Sequence, residues 1–248
     1  MITIKSKEEL NYMRQAGKIL SEVFKAVEVF VKPGITTADL DKIAYDYIIK
    51  HNAKPSFLNY GGFPKSICAS VNDEVVHGIP SKKRILHDGD IVTVDVGACF
   101  KGYHADAART YAVGNISDEA KRLMKVTEEC FFKGVALARE GNHIGDISNA
   151  VQQHAESNGF SVVRDLVGHG VGAQLHEDPN VPNFGKPGKG PKLKAGMTLA
   201  VEPMINEGTY QVWQLDDGWT IVTQDGMLSA QYENTIIITK DECEIITL

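Results

Sequence analysis

Apolar side chains recur at helical spacing through the first fifty residues of the chain. Ser6 followed by Glu9 has the pattern of a capping box, which predicts the start of a helix, and Pro33-Gly34 predicts its end. A second helix is predicted to begin at Thr37 or its neighbour and to run through residue 48. The apolar positions of the first helix are Leu10, Met13, Ile19, Leu20, Val23, Phe24, Val27 and Phe30.

A similar helix pair is predicted further along the chain. One helix covers about residues 117–139, Gly141 ends it, and another runs through residues 147–155. Gly34 and Gly141, which end the first helix of each pair, lie 107 positions apart. Repetition at a fixed offset indicates an internal duplication.

Each helix pair is followed by a glycine and a β-branched or aliphatic run that reaches a carboxylate. Gly89 precedes the run to Asp95, Gly196 precedes the run to Glu202, and the two acids are again 107 positions apart. An unpaired charge in a buried strand costs several kcal/mol or forces the group to neutralise. The matching acids therefore predict a cation between the two halves. Strand signals occupy residues 91–97, 102–113, 197–206, 219–224 and 231–246.

These patterns predict an α+β protein in which each half has two helices followed by strands. The alternative is coincidence, since glycine and aliphatic residues recur in any chain, but two separate segments with one shared offset favour duplication. We expect a single domain over residues 1–248, with halves at about 1–114 and 115–248. The Gly/Pro-rich segment 184–191 interrupts the second half and is predicted to be a flexible surface loop.

Composition narrows the class of protein. The 248 residues are 43% hydrophobic and carry a net charge of −6, which argues against a general nucleic-acid binder. The chain has no apolar run approaching ~20 residues and no apolar signal-peptide region near residue 1. We therefore expect a cytoplasmic protein with no membrane contact. Four cysteines without CxxC spacing argue against a zinc knuckle or a dithiol motif: Cys68, Cys99, Cys130 and Cys243.

Two further acids lie beside strand signals. Asp106 follows Asp95 by eleven residues, and a tight turn at Lys101-Gly102 would bring the two carboxylates to one face of a hairpin. Glu233 enters a strongly apolar strand. Taken alone, Asp106 is typical of a turn acid and Glu233 of an edge-strand charge that discourages aggregation. The pairing of Asp95 with Glu202 weakens both of these interpretations.

Three histidines are candidates for the same site. His169 stands between glycines in segment 168–172, predicted to be a loop whose backbone approaches an ion or ligand closely. His176 follows seven residues later as a second imidazole. His77 precedes Gly78-Ile79-Pro80 and is equally consistent with an ordinary loop position. A lone histidine is usually structural, but four suspect acids nearby favour a ligand role for His169.

Four gathered carboxylates would repel one another strongly unless about two divalent ions neutralised them. Oxygen-rich ligation with one nitrogen favours manganese, iron or cobalt over a thiolate-type zinc site. Two ions about 3.5–4 Å apart can clamp the tetrahedral intermediate of a hydrolysis. The predicted ligand set is Asp95, Asp106, His169, Glu202 and Glu233.

Together these residues closely resemble a type I methionine aminopeptidase, of the pita-bread metallopeptidase family that also contains prolidase, aminopeptidase P and creatinase. The resemblance covers nearly the whole chain. The motifs that carry it are His77-Gly78-Ile79-Pro80, Asp95 with Asp106, Gly168-His169-Gly170 with His176, Glu202-Pro203, and Ser229-Ala230-Gln231-Tyr232-Glu233.

The resemblance implies a pita-bread fold, with two pseudo-symmetric halves of helices packed on a curved, mainly antiparallel sheet. It implies two divalent ions, with Asp106 and Glu233 bridging them and Asp95 chelating one. The implied activity is removal of the N-terminal methionine of nascent polypeptides by a metal-bound hydroxide.

The resemblance also assigns roles to residues around the ions. Glu202 would handle the proton, His176 would stabilise the developing oxyanion, and His77 would contact the scissile amide nitrogen. The implied methionine pocket consists of Tyr60, Phe63, Cys68, Leu175 and Trp219, with Phe57 at its rim. Phe57, Phe63 and Leu175 replace the Cys, Tyr and Phe expected in many bacterial members, which leaves tolerance of other first residues open.

Two other functions stay open. Asp95-Val96-Gly97-Ala98 and Ala108-Arg109-Thr110 also resemble the proline-specific branch, although His77-Gly78-Ile79-Pro80 favours the methionine branch. The other alternative is a non-catalytic pita-bread module that binds peptides, which need not keep five metal ligands.

Partner predictions follow from the resemblance and the charge pattern. We expect a monomer with no sequence-specific nucleic-acid partner, acting on nascent chains through transient ribosome contact. Four lysines in and after the Gly/Pro loop are candidates for that contact, or for a merely solvated loop: Lys186, Lys189, Lys192 and Lys194.

Overall fold

The structure, a computed structural model, describes residues 2–248. Four helices and fifteen strands make up the fold of that range, with one 3₁₀ turn at Tyr60–Gly62. The helices are α1 (Lys7–Glu28), α2 (Thr37–Lys50), α3 (Asp118–Val135) and α4 (Ile144–Ser157). The strands are β1 (Lys54–Pro55), β2 (Ile67–Val71), β3 (Glu74–Val76), β4 (Ile91–Phe100), β5 (Tyr103–Ala112), β6 (Ser161–Val162), β7 (Val167–Gly170), β8 (Glu177–Pro182), β9 (Thr198–Val201), β10 (Met204–Asn206), β11 (Val212–Gln214), β12 (Ile221–Thr223), β13 (Ser229–Gln231), β14 (Glu233–Ile238) and β15 (Cys243–Ile245).

Helices α1 and α2 begin at side-chain caps that the sequence indicates. Ser6 caps α1 and forms the predicted capping box with Glu9. Thr36 caps α2 through the same box with Asp39, so the helix begins one residue after its cap at Thr37. Each box satisfies two backbone N–H groups that would otherwise lack partners at the helix start.

One correction concerns α3, which the periodicity extends to residue 139 but which ends at Val135. Beyond it, the backbone N–H of Glu140 donates to the carbonyl of Thr239 at 3.0 Å, and that of Gly141 donates to the carbonyl of Leu193 at 3.0 Å. From Leu137 to Arg139 the N–H groups bond to carbonyls two or three residues back, and those of Glu140 and Gly141 bond to distant carbonyls, so the helical pattern ends. Apolar periodicity alone does not reveal the distant partners.

A nine-stranded antiparallel sheet forms the centre of the molecule. Its main path runs β1-β4-β5-β14-β9-β7-β8, with β2 paired to β4 and β15 paired to β14. Strands β4 and β5 form a long hairpin in which Phe100 pairs with Tyr103. Lys101 and Gly102 have φ values of 52° and 86°, as a tight hairpin turn requires.

The two halves repeat each other in detail. The N–H of Gly34 donates to the carbonyl of Leu86 at 2.8 Å, and Gly141 makes the equivalent bond to Leu193 at 3.0 Å. The φ values of the two glycines are 93° and 95°. Helices α2 and α4 each have 14 residues and begin 107 positions apart. These features agree with the pseudo-symmetry that the sequence predicts.

Helices cover one face of the sheet and leave the other for the site. Val92, Val94 and Val96 of β4 are buried in the cluster formed with α1 and α2. Because side chains alternate along a strand, Asp95 points to the opposite face. Leu199 and Val201 of β9 pack in the same way in a cluster with α3 and α4.

Within residues 2–248, no helix has both the length and the apolar character needed to cross a membrane.

Candidate active site

The β4–β5 hairpin supplies two of the predicted carboxylates. Asp95 lies opposite Ala108, and Asp106 lies opposite Gly97, so the two acids are diagonal neighbours on one face. Asp106 is buried, whereas Asp95 keeps partial exposure because it faces a cavity. The turn at Lys101-Gly102 therefore places both acids where the sequence predicts them.

The second half contributes the remaining candidates from adjacent strands. Glu202 directly follows β9, and Glu233 begins β14, whose next residue Asn234 pairs with Val201. His169 lies on β7 and pairs with Ala200. The five predicted ligands thus converge from strands that are neighbours in one sheet.

The predicted glycine loop around His169 is a strand, which corrects that part of the sequence interpretation. A Cβ atom at Gly168 would lie 2.5 Å from the carbonyl oxygen of Ala200, and one at Gly170 would lie 2.2 Å from that of Asp178. The glycines therefore let neighbouring backbones approach β7 closely. That requirement comes from distant strands, so the local sequence cannot distinguish it from loop flexibility.

The side chains lie at distances suited to a shared cation. His169 Nε2 is 3.8 Å from Asp106 Oδ2 and 3.8 Å from Glu202 Oε1. Ligand atoms of Asp106, His169 and Glu233 all lie within 4.8 Å of one another.

Hydrogen bonding sets the orientation of the His169 ring. Its Nδ1 donates to the carbonyl oxygen of Gly170 at 2.8 Å, and burial, followed by the charge of His176, lowers the His169 pKa to about 3. The neutral ring therefore presents the lone pair of Nε2 to the carboxylates. This is the tautomer that a metal-ligating histidine requires.

Burial also disfavours the charged form of all four acids of the site. Burial raises the pKa of Asp106 to about 7. It also raises the pKa values of Asp95, Glu202 and Glu233 well above their usual range, with further increases from the negative charge of neighbouring acids. Without a cation, this group of acids is therefore stable only when partly protonated.

Unpartnered oxygen atoms show that the donor set fits a cation. Within residues 2–248, Asp95 Oδ1, Asp106 Oδ1 and Glu233 Oε1 are buried and accept no hydrogen bond. Buried acceptors without donors are costly, and a divalent cation satisfies several of them at once. Four carboxylates and one imidazole suit manganese, iron or cobalt ions.

An apolar cavity of about 310 Å³ opens beside these groups. Phe57, Phe63, Cys68 and Leu175 form one buried cluster, and the Trp219 ring packs edge-on against Phe63 at a centroid distance of 5.1 Å. The structure thus brings the predicted pocket residues together. The cavity is lined by Phe57, Tyr60, Phe63, Cys68, Val76, His77, Asp95, Asp106, Asp165, Leu166, Val167, His169, Leu175, His176, Glu202, Met204, Trp219 and Glu233.

Both remaining histidines line the cavity. His176 Nδ1 lies 2.8 Å from the Tyr60 hydroxyl, and its ring centroid is 4.2 Å from that of His169. Burial lowers the pKa of His176. Burial, followed by the charge of His176, lowers the pKa of His77 to about 4. Both rings are therefore neutral near pH 7.

Two residues without a predicted role hydrogen-bond to the acidic residues of the site, one to a carboxylate and one to a backbone carbonyl. Gln231 Nε2 donates to Glu202 Oε2 at 3.1 Å. Arg109 donates to the backbone carbonyl of Glu233 at 2.6 Å, and its guanidinium carbon lies 4.3 Å from the Tyr232 ring centroid. Both residues occur in motifs of the sequence resemblance, but only the folded sheet brings them against the acids.

Comparison with known proteins identifies the family. The model of metallopeptidase family M24 matches residues 11–240. The chain belongs to this family. Among relatives, a methionine aminopeptidase from Clostridium acetobutylicum is 59% identical over 248 residues, covering 100% of this chain and 99% of that protein.

Solved structures of M24 enzymes share the fold. A methionine aminopeptidase from Thermotoga maritima is similar at a TM-score of 0.98 and 46% identity, covering 100% of this chain and 99% of that one. A Xaa-Pro dipeptidase from Bacillus anthracis matches at a TM-score of 0.80 and 25% identity, covering 98% of this chain and 61% of that one. The predicted pita-bread fold and the family resemblance are confirmed.

Proposed function

We propose that this chain is a metal-dependent aminopeptidase that removes the N-terminal methionine of peptides and nascent proteins. The observation that carries the proposal is the position of four carboxylates and one imidazole beside an apolar cavity of about 310 Å³. The full-length identity of 59% to a protein named methionine aminopeptidase supports it. We assign the whole chain to one catalytic domain.

Asp95, Asp106, His169, Glu202 and Glu233 would hold two divalent ions, of manganese, iron or cobalt. When bound, such ions polarise the scissile carbonyl and lower the pKa of water. The unpartnered oxygens of Asp95, Asp106 and Glu233 are the acceptors that the ions would satisfy.

Glu202 is the residue that we assign to proton transfer. One of its oxygens accepts the Gln231 amide, and the other faces His169. Glu202 also keeps partial exposure to the cavity. It can therefore take a proton from the attacking water and deliver it to the leaving amine.

His176 and His77 would contact the scissile peptide group. With Tyr60 donating to its Nδ1, the neutral His176 ring carries its proton on Nε2 and can donate it to the developing oxyanion. His77 lines the same cavity and would contact the scissile amide nitrogen.

The methionine side chain would occupy the apolar part of the cavity, against Phe63, Cys68 and Leu175, with Tyr60 and Trp219 alongside. An unbranched thioether side chain adapts to such aromatic and aliphatic surroundings. Phe57 contributes apolar surface at the rim.

A peptide comparison tests this proposal. Protein reconstituted with Mn²⁺, Fe²⁺ or Co²⁺ under reducing conditions should release methionine from Met-Ala-Ser and leave Ala-Pro-Ser largely intact, as measured by mass spectrometry. Preferential cleavage before proline would instead support the proline-directed branch. Absence of both bound metal and hydrolysis would support a peptide-binding module.

For the cellular setting, we propose a monomer that acts in the cytoplasm and contacts the ribosome transiently. The four lysines of the Gly/Pro loop region are all exposed and would face ribosomal RNA. Reversing their charge should abolish salt-sensitive co-sedimentation with ribosomes, and unchanged co-sedimentation would exclude this surface. The four positions are Lys186, Lys189, Lys192 and Lys194.

A further inference from the structure

The segment that precedes α1 reaches across the sheet to the strand next to His176. Lys5 Nζ lies 2.6 Å from Glu177 Oε2, and the Thr3 hydroxyl donates to the same oxygen at 2.7 Å. Only 5% of the Lys5 side chain and 10% of the Glu177 side chain are exposed. The backbone N–H of Lys5 also donates to the carbonyl of Gly196 at 2.9 Å. An enclosed ion pair therefore joins residues 172 positions apart.

The other oxygen of Glu177 closes the loop between β7 and β8. Glu177 Oε1 accepts the backbone N–H of Gln174 at 3.1 Å, and the N–H of Gly172 donates to the carbonyl of Gln174 at 3.0 Å. A Cβ atom at Gly172 would lie 2.4 Å from Lys5 Cε and 2.7 Å from Glu177 Oε1. The loop backbone therefore packs directly against the ion pair.

His176 is the residue immediately before Glu177 in this loop. Glu177 pairs with Gly170, which directly follows His169. The His176 ring centroid lies 4.2 Å from that of His169, and its Nδ1 lies 2.8 Å from the Tyr60 hydroxyl. The backbone on the C-terminal side of His176 is thus fixed by Glu177, and Glu177 is held by Lys5.

We infer that Lys5 is a positioning residue of the active site, because its ion pair with Glu177 fixes the loop that carries His176. The inference rests on the proposed function, since it assigns His176 to the reaction. Lys5 lies outside the substrate cavity and acts only through Glu177. A displacement of about 1 Å caused by a mutation far from the reacting atoms can cost about 10²-fold in rate.

The kinetic test uses Lys5→Met in the Mn²⁺-reconstituted protein with Met-Ala-Ser as substrate. We expect kcat to fall about 10- to 100-fold, with KM changed less than about twofold and metal content unchanged. The matched control is Arg14→Met, which removes another long-range ion pair, with Arg14 Nη2 2.7 Å from Glu244 Oε2. The control should retain wild-type kcat.

A double-mutant cycle separates positioning from general destabilisation. In a His176→Ala background, Lys5→Met should cause little further loss of kcat, because the group that it positions is gone. An equal loss in both backgrounds would overturn the inference. Lys5→Met leaves Glu177 enclosed without its cation. The second variant, Lys5→Met/Glu177→Gln, therefore removes both charges. It should also lose kcat, with KM changed less than about twofold and metal content unchanged.

Hydrogen exchange provides a readout that does not need activity. The amides of Gly172 and Gln174 should exchange faster in Lys5→Met than in wild type or Arg14→Met, with other amides unchanged. Unchanged exchange at these two amides would overturn the inference. If wild-type protein fails to release methionine, the proposed function fails, and hydrogen exchange alone then decides whether Lys5 holds the loop.

Discussion

Asp95 and Glu202 occupy matching positions in the two halves but have different surroundings. Asp95 Oδ1 is buried and accepts no hydrogen bond within residues 2–248. Glu202 receives the amide of Gln231 on one oxygen and faces His169 with the other. Under the proposed function, Asp95 would therefore only hold a cation, whereas Glu202 would also exchange a proton.

Asp95→Ala should lose both bound metal and methionine release. The substitution removes one ligand and leaves fewer negative charges to compensate the cations. Metal content after reconstitution and release of methionine from Met-Ala-Ser measure the two effects. Asp118→Ala is the control because the Asp118 side chain is 100% exposed. Wild-type metal content and turnover in Asp95→Ala would refute the role of Asp95.

His77→Ala should slow hydrolysis by about 10²- to 10⁴-fold, the usual contribution of a group that handles protons or polar contacts in the transition state. Metal content should not change. His77 has a φ of 61°, which strains alanine, so His77→Asn is the companion variant because asparagine tolerates this backbone region. A wild-type rate in both variants would show that His77 takes no part in the reaction.

At the scale of elements, the duplicated turns before α2 and α4 have equivalent roles. Gly34 and Gly141 have φ values of 93° and 95° and would place a Cβ atom in open space. Alanine at either position would therefore suffer backbone strain without a steric clash. The two turns are tied by hydrogen bonds to Leu86 and Leu193, which lie in the equivalent segments that precede β4 and β9.

Gly34→Ala and Gly141→Ala should each lower the free energy of unfolding by about 1–2 kcal/mol, the usual cost of a left-handed conformation for a residue with a side chain. Urea denaturation measures both values, with Lys18→Ala on the exposed face of α1 as control. A loss at only one of the two glycines would contradict the structural equivalence of the halves.

The elements differ in how far the sequence predicts them. The cap of α1 and the β4–β5 turn depend on neighbouring residues, so local patterns suffice. The strand character of β7 depends on the backbone of Ala200 approaching Gly168, which no local pattern contains. The contact of Lys5 with Glu177 joins residues 172 positions apart, so local sequence patterns cannot predict it either. For the site, the motifs predict which acids converge, whereas the supporting contacts of Gln231 and Arg109 emerge only from the fold.

At the scale of the whole molecule, the site opposes folding unless its charge is compensated. Four carboxylates with raised pKa values gather in a chain whose net charge is already −6. Ions that bind the folded state but not the unfolded chain stabilise it by mass action. The cations are therefore expected to contribute to stability as well as to catalysis.

Chelation should lower the urea midpoint of unfolding, and readdition of Mn²⁺ should restore it. At a free ion concentration of 100 times Kd, the expected stabilisation is about 2.7 kcal/mol. Asp95→Ala should respond much less to Mn²⁺ than wild type, and Asp118→Ala should respond normally. A midpoint unaffected by chelation and readdition would argue against ion binding to the folded site.

The proposed function requires that strands of the two halves together hold divalent ions beside the apolar cavity. Anomalous scattering from crystals of the Mn²⁺-loaded protein tests it most directly. Two manganese peaks should appear, enclosed by Asp95, Asp106, His169, Glu202 and Glu233. Absence of manganese among these five side chains, in crystals of protein that hydrolyses Met-Ala-Ser, would contradict it.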